Sequence, residues 1–229
     1  MQRIGGIMYN PKKWDVIYGN GYLGKYPNEK IVRFICRKFG TDRTAHANIK
    51  VLDMGCGGGN NTWFLARENF NTYALDASEQ ALALAKKRMA EESLKATFVQ
   101  SFFQNPPFPD EYFDAVVDDA AIEANITIDI ALILKQVSRI LKPTGRYFGC
   151  YLSSRNQHEM KGPLIEPGTY SETKGKEIGR NRCIHFSEEN ELKKWLDDAK
   201  FSKYSIDAFS YTTNNQAEFH HWWIVEAEK

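Results

Sequence analysis

Apolar positions along the chain gather into short runs separated by stretches with helical spacing. Residues 49–54 (IKVLDM) form an apolar run that ends in glycines and reads as a buried strand. Residues 71–76 (NTYALD), 96–100 (ATFVQ), 114–118 (DAVVD) and 146–152 (RYFGCYL) repeat the pattern. Between them Ala81, Leu82, Ala85 and Met89 share one helical face behind Ser78, a good N-cap. Ile126, Ile130, Ile133, Leu134, Val137, Ile140 and Leu141 form a second such face, stopped by Pro143, with Gly145 permitting the next turn. Strands alternating with helices predict βαβ units and a mostly parallel sheet.

The flanks extend this pattern. Ile31, Phe34 and Ile35 mark a helix after Pro27. Ser187 is placed to cap a helix whose first turn holds Glu188 and Glu189, and whose buried face is Leu192, Trp195, Leu196 and Ala199. Two further strands, 203–211 and 220–227, flank a polar turn at 212–216 and predict an antiparallel C-terminal hairpin. Residues 153–186 break the alternation, with four glycines, two prolines and little periodicity. A loop that long inside a compact domain is usually functional. It follows the fifth strand, so it begins at the sheet edge where open α/β folds bind ligands. The expectation is one α/β domain over 1–229, with residues 1–27 as an N-terminal arm or lid and 153–186 capping an acceptor site.

Composition narrows the functional classes. Lys and Arg (30) nearly cancel Asp and Glu (29), for a formal charge of +1. That balance argues against nucleic acid or an anionic membrane as the main partner. There is no signal-peptide h-region, and no apolar run approaches the roughly 18 residues that span a bilayer. The cysteines, Cys36, Cys56, Cys150 and Cys183, lack metal or redox spacing. A cytoplasmic protein of a reducing compartment is the expectation; the oligomeric state is left open.

The most informative segment is Asp53-Met54-Gly55-Cys56-Gly57-Gly58-Gly59-Asn60, a strand running through glycines into a helix. Glycines permit a tight turn and close approach of a ligand. In the dinucleotide pattern G-x-G-x-x-G counted from Gly55, the third position falls on Asn60, and no Gly-Lys-Ser/Thr follows for a P-loop. The carboxylate two residues before Gly55 instead suits a cationic ligand without pyrophosphate, such as S-adenosylmethionine. Asp53 either orients the turn or meets the ammonium directly or through water. Asp76, at the end of the second strand, can accept ribose hydroxyls; alternatively it starts the turn before Ser78.

These motifs resemble the class I S-adenosylmethionine-dependent methyltransferases over about residues 30–229. VLDMGCGGG is similar to that family's first motif and YALDAS to its second. PFPDEYFDAVV and ILKPTGRYF resemble its segments around strands four and five. The resemblance implies a doubly wound seven-stranded, mostly parallel Rossmann-like sheet with an antiparallel C-terminal strand. It implies S-adenosylmethionine as cofactor, with Asp53, Gly55, Cys56, Gly57 and Gly59 around its methionine part. Asp76 would hold the ribose, with Ala77, Ser101 and the Phe102 N–H beside the adenine, and Asp118 toward the methionine end. Gln100-Ser101-Phe102 supplies no carboxylate where the family often has one for the adenine. Trp14 and Tyr18 in the N-terminal arm would cover the cofactor, or else staple the first helix.

Asn105-Pro106-Pro107-Phe108 spells a tetrapeptide that resembles the motif of amino-methyltransferases, but it lies before the fourth strand and reads as a loop. Asp118 and Asp119 are adjacent on a strand and face opposite ways, and His220-His221 are spaced no better, so no metal site is expected. Methyl transfer depends mainly on alignment, with a base helping for hydroxyl or protonated amine acceptors. His158, His185, Arg155, Tyr170 and Glu166 are the acceptor-side candidates, each as readily a structural or solvated residue. The expected function is methyl transfer to O or N of a small molecule. The alternatives are a nicotinamide-dependent oxidoreductase, a non-catalytic S-adenosylmethionine-binding module and, through NPPF, a nucleic-acid methyltransferase.

Overall fold

The computed structural model of the chain describes residues 11–19, 24–156, 162–171, 173 and 183–229. Its element order is α1 (Pro11–Gly19), α2 (Glu29–Phe39), α3 (Arg43–His46), β1 (Lys50–Met54), α4 (Asn60–Arg67), β2 (Asn71–Asp76), α5 (Glu79–Glu91) and β3 (Thr97–Gln100). There follow β4 (Phe113–Asp119), a 3-10 turn (Ile122–Ala124), α6 (Thr127–Ile140) and β5 (Leu141–Leu152). Three short strands come next, β6 (Leu164–Glu166), β7 (Thr169–Tyr170) and β8 (Ile184–His185). The chain closes with α7 (Glu189–Asp198), β9 (Lys203–Thr213) and β10 (Glu218–Glu228).

Seven strands form one sheet in the order β3-β2-β1-β4-β5-β10-β9. Every pair from β3 to β5 is parallel, whereas β10 runs antiparallel to both β5 and β9. The strand order reverses beside β1, and the glycine turn sits at the carboxyl end of that strand, the position open α/β sheets use for ligands. The expected seven-stranded sheet with its C-terminal hairpin is therefore present. The turn of the hairpin runs through Asn214, Asn215 and Gln216, all at positive φ.

Side-chain alternation assigns the two faces. Leu52, Met54, Val116, Tyr147 and Trp223 pack with α6 and α7. Val51, Ala115, Val117, Phe148 and Cys150 pack with α2 and α4. Ile31, Phe34 and Ile35 of α2 are each at most 1% exposed, and burying such side chains contributes about 1.5–3 kcal/mol apiece. Asn28 caps this helix through Lys30 N–H (2.9 Å), and Ser78 caps α5 through Ala81 N–H (3.1 Å).

Two expectations are corrected here. Residues 153–186 are not wholly irregular, because β6, β7 and β8 form a small antiparallel sheet. Glu166 anchors that sheet by accepting Thr127 N–H at the start of α6 (2.7 Å), where Ile126 offers no side-chain cap. Ser187 does not cap α7. Its N–H donates to Leu152 O (2.8 Å) and its carbonyl accepts Trp223 Nε1 (2.9 Å), so the helix begins after Glu188, whose N–H donates to Glu191 (2.8 Å).

Candidate active site

The glycine turn is held from within. Gly55 and Cys56 N–H both donate to Leu75 O (2.8 and 3.1 Å), and Gly59 N–H donates to Cys56 O (2.9 Å). Gly57 N–H donates to Asp76 Oδ2 (2.9 Å), while Asp76 Oδ1 accepts Ser78 N–H (2.9 Å). The carboxylate that ends β2 thus ties its own strand to the turn after β1. Gly57 sits at φ +51°, and a Cβ there would lie 2.2 Å from Tyr18 Oη, so the turn fits closely under α1.

An open cleft enclosing about 1060 Å³, continuous with solvent, lies above this turn. Its floor includes Gly55, Cys56, Gly57, Gly58 and Asp76; Trp14 and Tyr18 of α1 and Trp222 of β10 also line it. Phe103 and the β4 end, Asp119 to Ala121 with Glu123, complete the wall. Three carboxylates (Asp76, Asp119 and Glu123) line the cleft, and no Lys, Arg or His does among the described residues. Asp119 accepts Asn28 Nδ2 (2.6 Å) and Asn61 Nδ2 (3.3 Å), whereas Glu123 accepts Leu152 N–H. Burial pushes the carboxyls of Asp76 and Asp119 above the usual range. For Asp76 the N–H groups of Ser78 and Gly57 oppose the shift, and for Asp119 the two asparagines do.

Trp14 and Tyr18 of the arm line the cleft. Asp15 of α1 accepts Ser78 Oγ (2.6 Å) and Gln80 N–H (3.3 Å), which pins α1 to the start of α5. Asp53 does not reach the cleft surface. It is 1% exposed beneath α4, with Oδ2 accepting Thr62 Oγ1 (2.6 Å) and Oδ1 buried without a hydrogen-bond partner. Burial is the main cause of its carboxyl being pushed up to about 7.

Five other expected contacts lie elsewhere. Gly59, at φ +84°, faces α5, where a Cβ would come within 2.9 Å of Ala85 Cβ. Ala77, Ser101 and Phe102 do not line the cleft; Ser101 Oγ bonds Phe102 O (3.3 Å), Phe102 is 40% exposed, and the neighbouring Phe103 takes the wall position. Asp118 faces the α6 side, where its Oδ1 accepts Ala121 and Ile122 N–H (2.9 and 3.2 Å) and burial pushes its carboxyl up to about 8. Asp119, one position on, takes the cleft side because adjacent strand residues alternate. Gly58, Asn61, Phe103, Asp119, Glu123 and Trp222 are lining residues that sequence reasoning did not assign.

The acceptor-side candidates do not converge. His158 lies outside the described residues. His185 is fully buried, with Nδ1 against Thr169 Oγ1 (2.8 Å) and Nε2 against Glu191 Oε2 (3.3 Å), so it links β7, β8 and α7. Arg155 is exposed, beside His221 Nε2 (3.3 Å) and over Trp223. Tyr170 packs edge-on to Phe186 (5.9 Å) in an apolar cluster that Trp14 and Trp222 also join, which places it near the cleft mouth. The NPPF tetrapeptide is loop, its Pro106 and Phe108 carbonyls held by Arg139 (3.2 and 2.9 Å).

The residues fit S-adenosylmethionine better than a dinucleotide. The N–H groups of Gly55, Cys56, Gly57 and Gly59 already have internal acceptors, which leaves little of the donor cradle a pyrophosphate needs. An acidic wall repels that dianion and attracts an ammonium and a sulfonium. A doubly wound sheet with an acidic, glycine-floored cleft at its switch point is the arrangement of a cofactor-binding domain.

Comparison with known proteins agrees. Residues 51–145 match the family model of a methyltransferase domain. An uncharacterized methyltransferase of Synechocystis is 38% identical over 96 residues, covering 42% of this chain and 43% of that protein. A ubiquinone biosynthesis O-methyltransferase of Yersinia enterocolitica is 27% identical over 71% of this chain and 65% of that one. The chain spans less than two thirds of the length of these curated relatives. The fold of a SAM-dependent methyltransferase from Methanosarcina mazei superposes with a TM-score of 0.66 at 21% identity, over 88% of this chain and 98% of that one. Residues 51–145 are thus similar to methyltransferase domains, and the fold of the chain is that of solved S-adenosylmethionine-dependent methyltransferases.

Proposed function

We propose that the protein transfers the methyl group of S-adenosylmethionine to an oxygen or nitrogen of a small-molecule acceptor. The observation that carries this reading is the cleft wall of Asp76, Asp119 and Glu123, with no basic side chain among the described residues, above a glycine floor. The bound cofactor would supply an electrophilic methyl group on a cationic sulfur. Asp76 is placed to accept ribose hydroxyls while still bracing Gly57 and Ser78. The unpartnered Asp53 Oδ1 offers an acceptor beneath the turn for a water that relays to the ammonium. Trp14, Tyr18 and Trp222 offer aromatic walls that can align the cofactor with an acceptor. Asp119 and Glu123, at the end of β4, stand where an acceptor's proton needs a base.

Relatives named ubiquinone biosynthesis O-methyltransferase and fatty-acid O-methyltransferase support a small-molecule acceptor, although others are named C-methyltransferases. The +1 formal charge and the acidic cleft speak against a nucleic acid. All four cysteines are free, and no helix among the described residues is long and apolar enough to cross a membrane. Both fit the cytoplasm as the place of action, with β6–β8 and α1 flanking the acceptor entrance as caps. The test is transfer of isotopically labelled methyl from S-adenosylmethionine to a small-molecule metabolite extract, with Asp76→Ala as comparison. Label moving into small products, and lost in the variant, supports the reading; label appearing only in protein or nucleic acid contradicts it.

A further inference from the structure

A second hollow opens beside the cleft, on the α2 face of the sheet. It encloses about 590 Å³ between the start of α2, the ends of β4 and β5, and the β9–β10 hairpin. Asp119 and Trp222 line both spaces, so the hollow and the cofactor cleft share a wall.

The lining is aromatic, with one cation and one anion. Phe209 pairs across the hairpin with Trp222, and the Phe209 and Tyr211 rings lie 5.5 Å apart. Phe209 is 37% exposed, unusual for a phenylalanine. Lys30 Nζ lies 3.7 Å from the Phe209 ring centroid. Its acidic neighbour Glu29, at 4.0 Å, is 71% exposed and screened by solvent, so it neutralises little of the charge. At the wall shared with the cleft, Asn28 and Asn61 fix the Asp119 carboxylate from the side of α2 and α4.

Resting on the methyltransferase reading above, the geometry points to this hollow as the acceptor subsite for an aromatic acid carrying a phenolic hydroxyl or an aryl amine. The ring lies on Phe209 and Tyr211, the acid group pairs with Lys30, and the O–H or N–H faces Asp119 at the boundary with the cofactor. In the transfer, the acceptor's lone pair forms the new bond to the methyl carbon. The carbon–sulfur bond breaks with its pair left on sulfur, so the sulfonium becomes a neutral thioether. The acceptor's proton passes to Asp119. Burial raises the Asp119 carboxyl above its ordinary range, which suits it to take that proton.

The test is calorimetric titration of 4-hydroxybenzoate and 4-aminobenzoate into protein saturated with S-adenosylhomocysteine, with p-cresol as the uncharged counterpart. Both acids should bind saturably. Lys30→Ala and Phe209→Ala should each weaken them about tenfold or more, while homocysteine-form affinity stays within about twofold. Lys30→Arg should restore most of the affinity, and p-cresol should not respond to Lys30→Ala. Asp119→Asn should lower methyl transfer while leaving acid binding in place. Failure of both acids to bind the loaded protein, or equal binding in Lys30→Ala, overturns the subsite and leaves the methyltransferase reading standing. If S-adenosylhomocysteine itself does not bind the unaltered protein, both fall together.

Discussion

Gly57→Ala tests the packing of α1 on the glycine turn. Gly57 has φ +51°, and the left-handed region costs a residue with a Cβ about 1–2 kcal/mol. The new Cβ would also collide with Tyr18 Oη and Cζ, so the Tyr18 ring must swing aside or α1 must lift. Lifting strains the hydrogen bonds of Asp15 to Ser78 Oγ and Gln80 N–H, each contributing about 0.5–1.5 kcal/mol. The total is about 2–5 kcal/mol, of which only the backbone part should remain when Tyr18→Ala is present in the same chain. For a domain of this size 1 kcal/mol shifts Tm by about 2–4 °C, so the loss is readily measured. Urea denaturation of both single variants and the double variant gives the coupling, expected at about 1–3 kcal/mol. Tryptic cleavage at Lys12 and Lys13, on α1, should quicken in Gly57→Ala. Effects that add within about 0.5 kcal/mol would refute the claim that α1 seals the turn.

Asp76→Ala should weaken S-adenosylhomocysteine binding by tenfold or more and destabilise the fold by about 2–4 kcal/mol, since Gly57 and Ser78 N–H lose their acceptor; calorimetry and urea titration read the two effects. Asp53 carries a carboxyl raised to about 7, so the folded state holds its proton more tightly than the unfolded chain. Its contribution to stability is therefore full at low pH and is lost as pH rises from the unfolded value through about 7, and Asp53→Asn should flatten that slope. Cofactor-product affinity should move oppositely, rising as Asp53 ionises, and calorimetry below and above neutral pH checks the sign. His185→Ala should cost about 1–3 kcal/mol by breaking the link from Thr169 to Glu191, with cofactor affinity unchanged in calorimetry.

Much of the fold is legible in the sequence because long-range physics repeats locally. Strands such as Asn71–Asp76 are buried runs bounded by turn residues, and α5 follows its capping serine and apolar face. The small β6–β8 sheet is not legible, since strands of two or three residues show no period and owe their pairing to Glu166 and Thr169. At the site, Asp76, Gly55 and Gly57 are legible from motif chemistry. The choice of Asp119 over Asp118, and of Phe103 over Phe102, depends on strand parity and on which face each helix covers. Gly59 shows a second limit, because a glycine needed for helix packing at Ala85 looks the same in sequence as one needed at a ligand. His185 looks like a loop histidine until β7, β8 and α7 close around it.

The central claim is that an acidic, glycine-floored cleft selects a cationic nucleoside over a dinucleotide. Calorimetric titration of the protein with S-adenosylhomocysteine and, separately, with NADH tests it most directly. Saturable binding of S-adenosylhomocysteine, weakened by Asp76→Ala and without heat from NADH, is the predicted result. Binding of NADH alone would contradict the account.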